Sequence, residues 1–168
     1  RRGFLTKKEK TLINEVKDLA IASSNGSGLE VPKGCEIVKL GEKDVPVIAN
    51  IYKQVFQFYP FPIFQEAYLL DTIRSNVQYY GVHYQGEVIA VSSAEMDVVS
   101  SNVEMTDFAT LPEHLGRNLS YHLLQKMIRC MANEGIQTAY TIARSTSIGM
   151  NKTFARQGFH FGGTLVNN

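Results

Sequence analysis

Residues with chemical potential concentrate between Glu104 and Met131. Glu104-Met-Thr-Asp107 places two carboxylates three apart on a segment with strand character. Beyond Pro112, a polar loop carrying Gly116 opens a helix whose apolar residues Leu119, Leu123, Leu124, Met127, Ile128 and Met131 recur at helical spacing. A strand that feeds such a loop points unpaired backbone N–H groups at one spot, which suits a phosphate. The same pattern also fits a strand–turn–helix with no ligand. By strand alternation Glu104, Thr106 and Phe108 share one face and Met105, Asp107 and Ala109 the other, so one carboxylate is expected to face a cleft. There it can accept a proton, hold a cation, or only pair within the sheet.

These elements carry a resemblance. Pro112-Glu113-His114-Leu115-Gly116-Arg117-Asn118-Leu119 resembles motif A of the GNAT acyltransferases, Gln/Arg-x-x-Gly-x-Gly/Ala. Asn151-Lys152-Thr153-Phe154-Ala155-Arg156-Gln157-Gly158-Phe159 resembles the family's Asn…Tyr-x-x-x-Gly-Phe segment, at the family's gap of one helix and one strand. Val103 to His114, Tyr140 to Arg144 and Met150-Asn151 are similar to the β-lysine N-acetyltransferases, which make the compatible solute Nε-acetyl-β-lysine. The likeness runs from Gly34 to Asn168.

The resemblance implies an α+β GNAT fold, a mixed and mainly antiparallel sheet flanked by helices, with the last strand missing. It implies direct transfer of acetyl from acetyl-CoA to a primary amine of a small diamino acid, β-lysine first. Another small amine (a polyamine or amino-sugar) and a non-catalytic acyl-CoA-binding regulatory module are the alternatives. The CoA pyrophosphate would lie on the backbone of Leu115, Gly116, Arg117, Asn118, Leu119 and Ser120. The pantetheine arm would run along Phe108, Ala109, Thr110 and Leu111, one N–H serving the thioester oxygen. Asn151 would bond the cofactor arm or cap a strand carbonyl. Phe154 stands where many family members use a tyrosine to protonate the leaving thiolate, and it has no proton to give. Glu104 or Asp107 would be the general base, directly or through water, or would bind a second ammonium. Tyr59, Phe61 and Tyr80 would border the substrate, and Arg144 would meet its carboxylate. Glu113, Leu115 and Asn118 depart from the family pattern, although Asn tolerates a left-handed backbone.

The rest of the chain must position these groups. With 168 residues, 44% hydrophobic and 20% charged, the chain can bury one full core. A net charge of +1 argues against a nucleic-acid partner, and no run reaches membrane-spanning length or forms a signal-peptide pattern. Two cysteines, Cys35 and Cys130, make no disulfide framework and fit a reducing cytoplasm. His83, His114, His122 and His160 lack ligand spacing, so no metal is expected. The start at Arg1-Arg2 without methionine fits a fragment or a processed chain.

In chain order, Thr6 to Glu9 has capping-box spacing before the stripe Leu12, Ile13, Val16, Leu19 and Ala20. That stripe must dock on this domain, on a partner subunit (a homodimer is compatible) or on an upstream segment. Ser23 to Gly28 reads as a flexible linker, so residues 1–30 are set apart from an acetyltransferase domain over 31–168. Strands are expected at Cys35–Leu40, Val77–Tyr84, Glu87–Met96, Thr138–Ala143 and Phe159–Val166. Helices are expected after an Asp44 cap with Pro46 in the first turn, at Phe64–Ser75, and from a Ser145, Thr146 or Ser147 cap to Gln157. Gln85-Gly86 signals a hairpin, Gly135 and Gly158 suit helix ends, and Pro60 and Pro62 stiffen the loop between Phe58 and Ile63.

Overall fold

In the computed structural model, which describes residues 5–23 and 28–165, Gln85 and Gly86 join two strands by a two-residue turn. Both have positive φ, +52° and +88°, whose twist matches a tight antiparallel hairpin. Around this hairpin the sheet is ordered β1 (Cys35–Leu40), β2 (Val77–Tyr84), β3 (Glu87–Asp97), β4 (Asn102–Thr110) and β5 (Thr138–Tyr140). The first three pairings are antiparallel and β4–β5 is parallel, because helix α4 (Leu119–Asn133) returns the chain between them. The sheet is therefore mixed and mainly antiparallel. β5 ends at Tyr140 rather than Ala143, because its pairing with β4 stops at Glu104.

Helices α2 (Val45–Val55) and α3 (Glu66–Arg74) cover one face of this sheet. Ile48, Ile51, Tyr52 and Leu69 pack there on Leu40, Val77, Tyr79, Val91 and Ala109. On the other face α4 buries Leu123, Leu124, Met127 and Met131, each worth about 1.5–3 kcal/mol. Pro46 lies in the first turn of α2, but the Asp44 carboxylate does not cap that helix; it accepts the Gly41 N–H at 2.8 Å. Turn bonds from Ile63 N–H to the Phe61 carbonyl and from Gln65 N–H to the Pro62 carbonyl keep Phe64 and Gln65 out of α3. α4 ends with Gly135 at φ +84° and the Ile136 N–H donating to the Met131 carbonyl, a left-handed glycine stop.

The segment Leu29–Ile142 forms one compact unit; residues up to Gly28 and from Ala143 onward form a second. In the second, α1 (Lys7–Ala22) carries the capping box: Glu9 N–H donates to Thr6 Oγ1 at 3.2 Å and Thr6 N–H to Glu9 Oε2 at 2.7 Å. It packs on α5 (Ile148–Arg156), burying Val16 and Ala20 and leaving Leu12 and Leu19 exposed. The linker reading falls mostly on residues 24–27, outside the described residues. The strand expected over Phe159–Val166 does not form in its described part. Residues 159–165 are irregular, with Gly162-Gly163 in their midst and no side chain buried, and Val166 lies outside the described residues.

Candidate active site

β4 meets β3 with Ser93 opposite Thr106 and Val91 opposite Ala109, so Ser92 alone faces both Asp107 and Phe108. Asp107 takes φ +56°, the left-handed position of a β-bulge that usually belongs to glycine. A short polar side chain that bonds locally offsets part of that cost. The Ser93 hydroxyl donates to Asp107 Oδ2 at 2.7 Å, and the Tyr59 hydroxyl donates to Oδ1.

The bulge corrects the alternation expected for this strand. Glu104 lies in line with Glu95 and Val77, and Thr106 with Ser93 and Tyr79, all towards α2 and α3. Asp107 reaches the same face through Tyr59 and Ser93, and Ala109 belongs to the same core cluster. Both carboxylates therefore share one face, because one extra residue shifts the period-two pattern by a step.

That face holds an open cavity of about 140 Å³ whose lining includes Phe61, Tyr68, Tyr79, Glu95 and Asp107 and no Lys, Arg or His. Glu95 was missed in the sequence. Its signal was the turn at residues 98–101, which sets Glu95 directly across from Glu104. Desolvation, then the charges of Asp107 and Glu104, push the Glu95 carboxyl up to about 7. Desolvation and Asp107 also raise Glu104, while the Ile142 N–H pulls it down. Asp107, 7% exposed, is raised by burial against the opposing pull of the Tyr59, Ser93 and Thr106 hydroxyls. Tyr80 does not line this cavity. It is fully buried on the α4 face with its hydroxyl donating to Gln78 Oε1 at 2.8 Å, and its neighbour Tyr79 takes the cavity side.

At the other end of β4 the chain passes through a short 3-10 turn, Pro112–His114, into α4. Gly116 has φ +78° and Asn118 φ +56°, so the asparagine adopts the left-handed conformation that a glycine would hold. From Gly116 to Ser120 no backbone N–H donates to another described residue; the first helical bonds come from Tyr121 and His122 to the Asn118 carbonyl. Apart from its two chain neighbours, no described residue has an atom within 4 Å of a Cβ built on Gly116. Free amides, an open approach and the positive end of a 15-residue helix fit a pyrophosphate. Leu115 is exposed beside this spot. Arg117 is folded back, its guanidinium 4.4 Å from the Tyr84 ring centroid and within 3.1 Å of His114 Nδ1. Phe108, Ala109 and Thr110 lie past the point where β5 leaves β4, and Leu111 N–H donates to the Ile89 carbonyl.

Arg144, Asn151 and Phe154 belong to the second unit. Arg144 is exposed, and its carbonyl accepts from Asn151 Nδ2 at 3.0 Å; the same amide reaches the Ser147 carbonyl at 2.8 Å. Ser147 precedes α5, although its hydroxyl makes no capping bond. Phe154 is buried edge-to-face on Phe159, 5.1 Å between centroids, the apolar contact that accompanies the left-handed Gly158 stop. Among the described residues no metal-binding group of His, Cys, Asp and Glu forms, and no helix is long and apolar enough to cross a membrane.

Comparison with known proteins agrees with this arrangement. A β-lysine N(6)-acetyltransferase of Methanococcus maripaludis is 45% identical over 127 residues, 76% of this chain and 46% of the relative. One of Methanosarcina mazei is 32% identical over 167 residues, 99% of this chain and 61% of the relative. The chain thus spans roughly half the length of these curated relatives. In three dimensions it is similar to the PaiA N-acetyltransferase of Thermoplasma acidophilum, solved with coenzyme A, at a TM-score of 0.62 and 16% identity over 75% of this chain and 89% of that one. The model of the acetyltransferase (GNAT) family matches residues 46–159, which include strands β2 to β5, the bulge and the open helix end, and on this ground the chain belongs to the GNAT acetyltransferase family.

Proposed function

We propose that this chain transfers acetyl from acetyl-CoA to a primary amine of a small diamino acid, with β-lysine as substrate and the compatible solute Nε-acetyl-β-lysine as product. The observation that carries the reading is the acid-lined, aromatic-walled cavity without a cation among its lining residues. Such a cavity is complementary to ammonium groups, through carboxylates and through aromatic faces. The relatives named for β-lysine acetylation favour this amine.

The free amides of residues 116–120 would hold the pyrophosphate, and Asn118 contributes to the loop through its left-handed backbone. Phe108 to Leu111 would line the pantetheine arm where β4 has lost β5 as a neighbour. Acetyl-CoA supplies the acetyl group as a thioester. Phe61 lines the cavity and would meet the substrate, and Tyr59 would support that wall through the hydroxyl it donates to the cavity residue Asp107. Glu104 adds negative charge for the second ammonium, and Arg144 is the candidate for the carboxylate. The acetyltransferase domain would run over 31–168, acting in the cytoplasm. A second reading, a simple diamine or polyamine, is favoured by the lack of a cationic lining residue for a carboxylate.

Release of free thiol from acetyl-CoA, measured with purified protein across β-lysine, α-lysine, cadaverine, spermidine and an aminoglycoside, tests both. The highest kcat/KM is expected on β-lysine. Preference for cadaverine or spermidine would select the second reading. CoA binding with no thiol release on any amine would overturn both.

A further inference from the structure

Glu95 and Glu104 stand directly opposite each other on β3 and β4, and the buried Asp107 joins them on the same face. Like charges so placed oppose folding. Among the described residues no cation forms an ion pair with any of the three. They are not equivalent. Asp107 already accepts hydrogen bonds on both oxygens. Glu104 is held down by the Ile142 N–H and lies outside the cavity lining. Glu95 lines the cavity, and no hydrogen bond from another described residue reaches its carboxylate. A second unsatisfied group lies near Asp107. The Tyr52 hydroxyl, fully buried, faces Asp107, Tyr79 and Tyr59 and has no bonded partner among the described residues.

We propose that Glu95 is the proton acceptor for the substrate ammonium, and that Asp107 is a positioning residue that holds the Tyr59 wall. This rests on the acetyl-transfer reading above. One proton passes from the ammonium nitrogen to a Glu95 carboxylate oxygen. The nitrogen keeps its electron pair and becomes a neutral amine, and the carboxylate becomes a carboxylic acid that later returns the proton to solvent. Asp107 and Glu104 from β4, Tyr59 from the loop before α3, Tyr68 from α3, Tyr79 from β2 and Tyr140 from β5 surround this carboxylate. Burial and the two neighbouring carboxylates give Glu95 a proton affinity matched to neutral pH, where a base is most effective.

The test uses acetyl-CoA and β-lysine across a range of pH. In the unsubstituted protein kcat/KM should rise about tenfold per pH unit up to neutrality and then level. Glu95→Gln should lower kcat by about 100-fold or more, change KM less, and abolish the limb near neutral pH. Asp107→Asn should keep a limb of the same slope but move it to lower pH, because one of the two neighbouring negative charges is gone. An aminooxy analogue of β-lysine, neutral at this pH, should restore near-normal turnover to Glu95→Gln. Independently of turnover, the side-chain carboxyl NMR signal missing from Glu95→Gln should titrate near 7 and move to lower pH when β-lysine is added. An active protein whose Glu95→Gln variant keeps rate and limb, or a signal that titrates like an ordinary carboxylate, overturns the assignment alone. An unsubstituted protein inactive on every amine overturns the acetyl-transfer reading and this assignment with it.

Discussion

The two ends of β4 carry opposite and uncompensated charge. At the α4 end, amides from Gly116 to Ser120 present partial positive charge to open space. At the cavity, Glu95, Glu104 and Asp107 present negative charge with no ion-paired cation among the described residues. The first site is built from backbone and tolerates sequence drift. Glu113, Leu115 and Asn118 depart from the family pattern, yet the loop keeps its left-handed turn and free N–H groups. The second is built from side chains and depends on which residues three strands bring together. In both, a bound molecule of opposite charge would complete what the protein leaves open.

The comparison breaks most readily at the backbone site. Gly116→Asp places a negative charge among the amides and a Cβ at φ +78°. CoA affinity, read by titration calorimetry, should fall at least about 100-fold, the loss expected from reversing charge at a phosphate site. Gly116→Ala separates the two causes, since it keeps the left-handed cost of roughly 1 kcal/mol without the charge. Unchanged affinity in a folded Gly116→Asp protein would remove the phosphate from this loop.

The next effect separates structural from functional acid within the cavity. Asp107→Asn exchanges a buried acceptor of several hydroxyl bonds for an amide, and should cost about 2 kcal/mol, or roughly 4–8 °C in Tm. A Tm within 1 °C of the unsubstituted protein, within roughly the error of such a measurement, would show that Asp107 does not hold the Tyr59 wall.

The smallest effect has the opposite sign. Glu95→Gln removes one of two directly opposed like charges and should stabilise the protein by about 0.5 kcal/mol, or 1–2 °C, at pH 8. The pH dependence follows from the raised Glu95 value, 4.5 ordinarily and about 7 in the fold. The folded protein holds this proton more tightly than the unfolded chain does. Its contribution is fully present below about 4.5 and is lost as pH rises through 7. The gain from Glu95→Gln should therefore shrink below pH 5 and grow above 7. A gain independent of pH would mean that the acidic pair is not what the substitution relieves.

The features legible in the residue order are those set by contacts within a few residues. The Thr6–Glu9 capping box, the Gln85-Gly86 turn, the glycine stops at Gly135 and Gly158, and the buried stripe of α4 all formed as their spacing required. Strands β1 and β2 kept their expected limits for the same reason. The features that local spacing left open are set by pairing across the chain. The bulge at Asp107 exists because β3 imposes its register on β4, and local alternation holds no record of the extra residue. Whether Tyr79 or Tyr80 faces the cavity depends on which side of the sheet α2 and α3 cover. Arg117 points at Tyr84 and within 3.5 Å of Cys35 because β1, β2 and the loop before α4 converge there, 82 positions apart in the chain for the last pair. The raised proton affinity of Glu95 likewise comes from burial that no single segment provides and from Asp107 and Glu104 on a neighbouring strand.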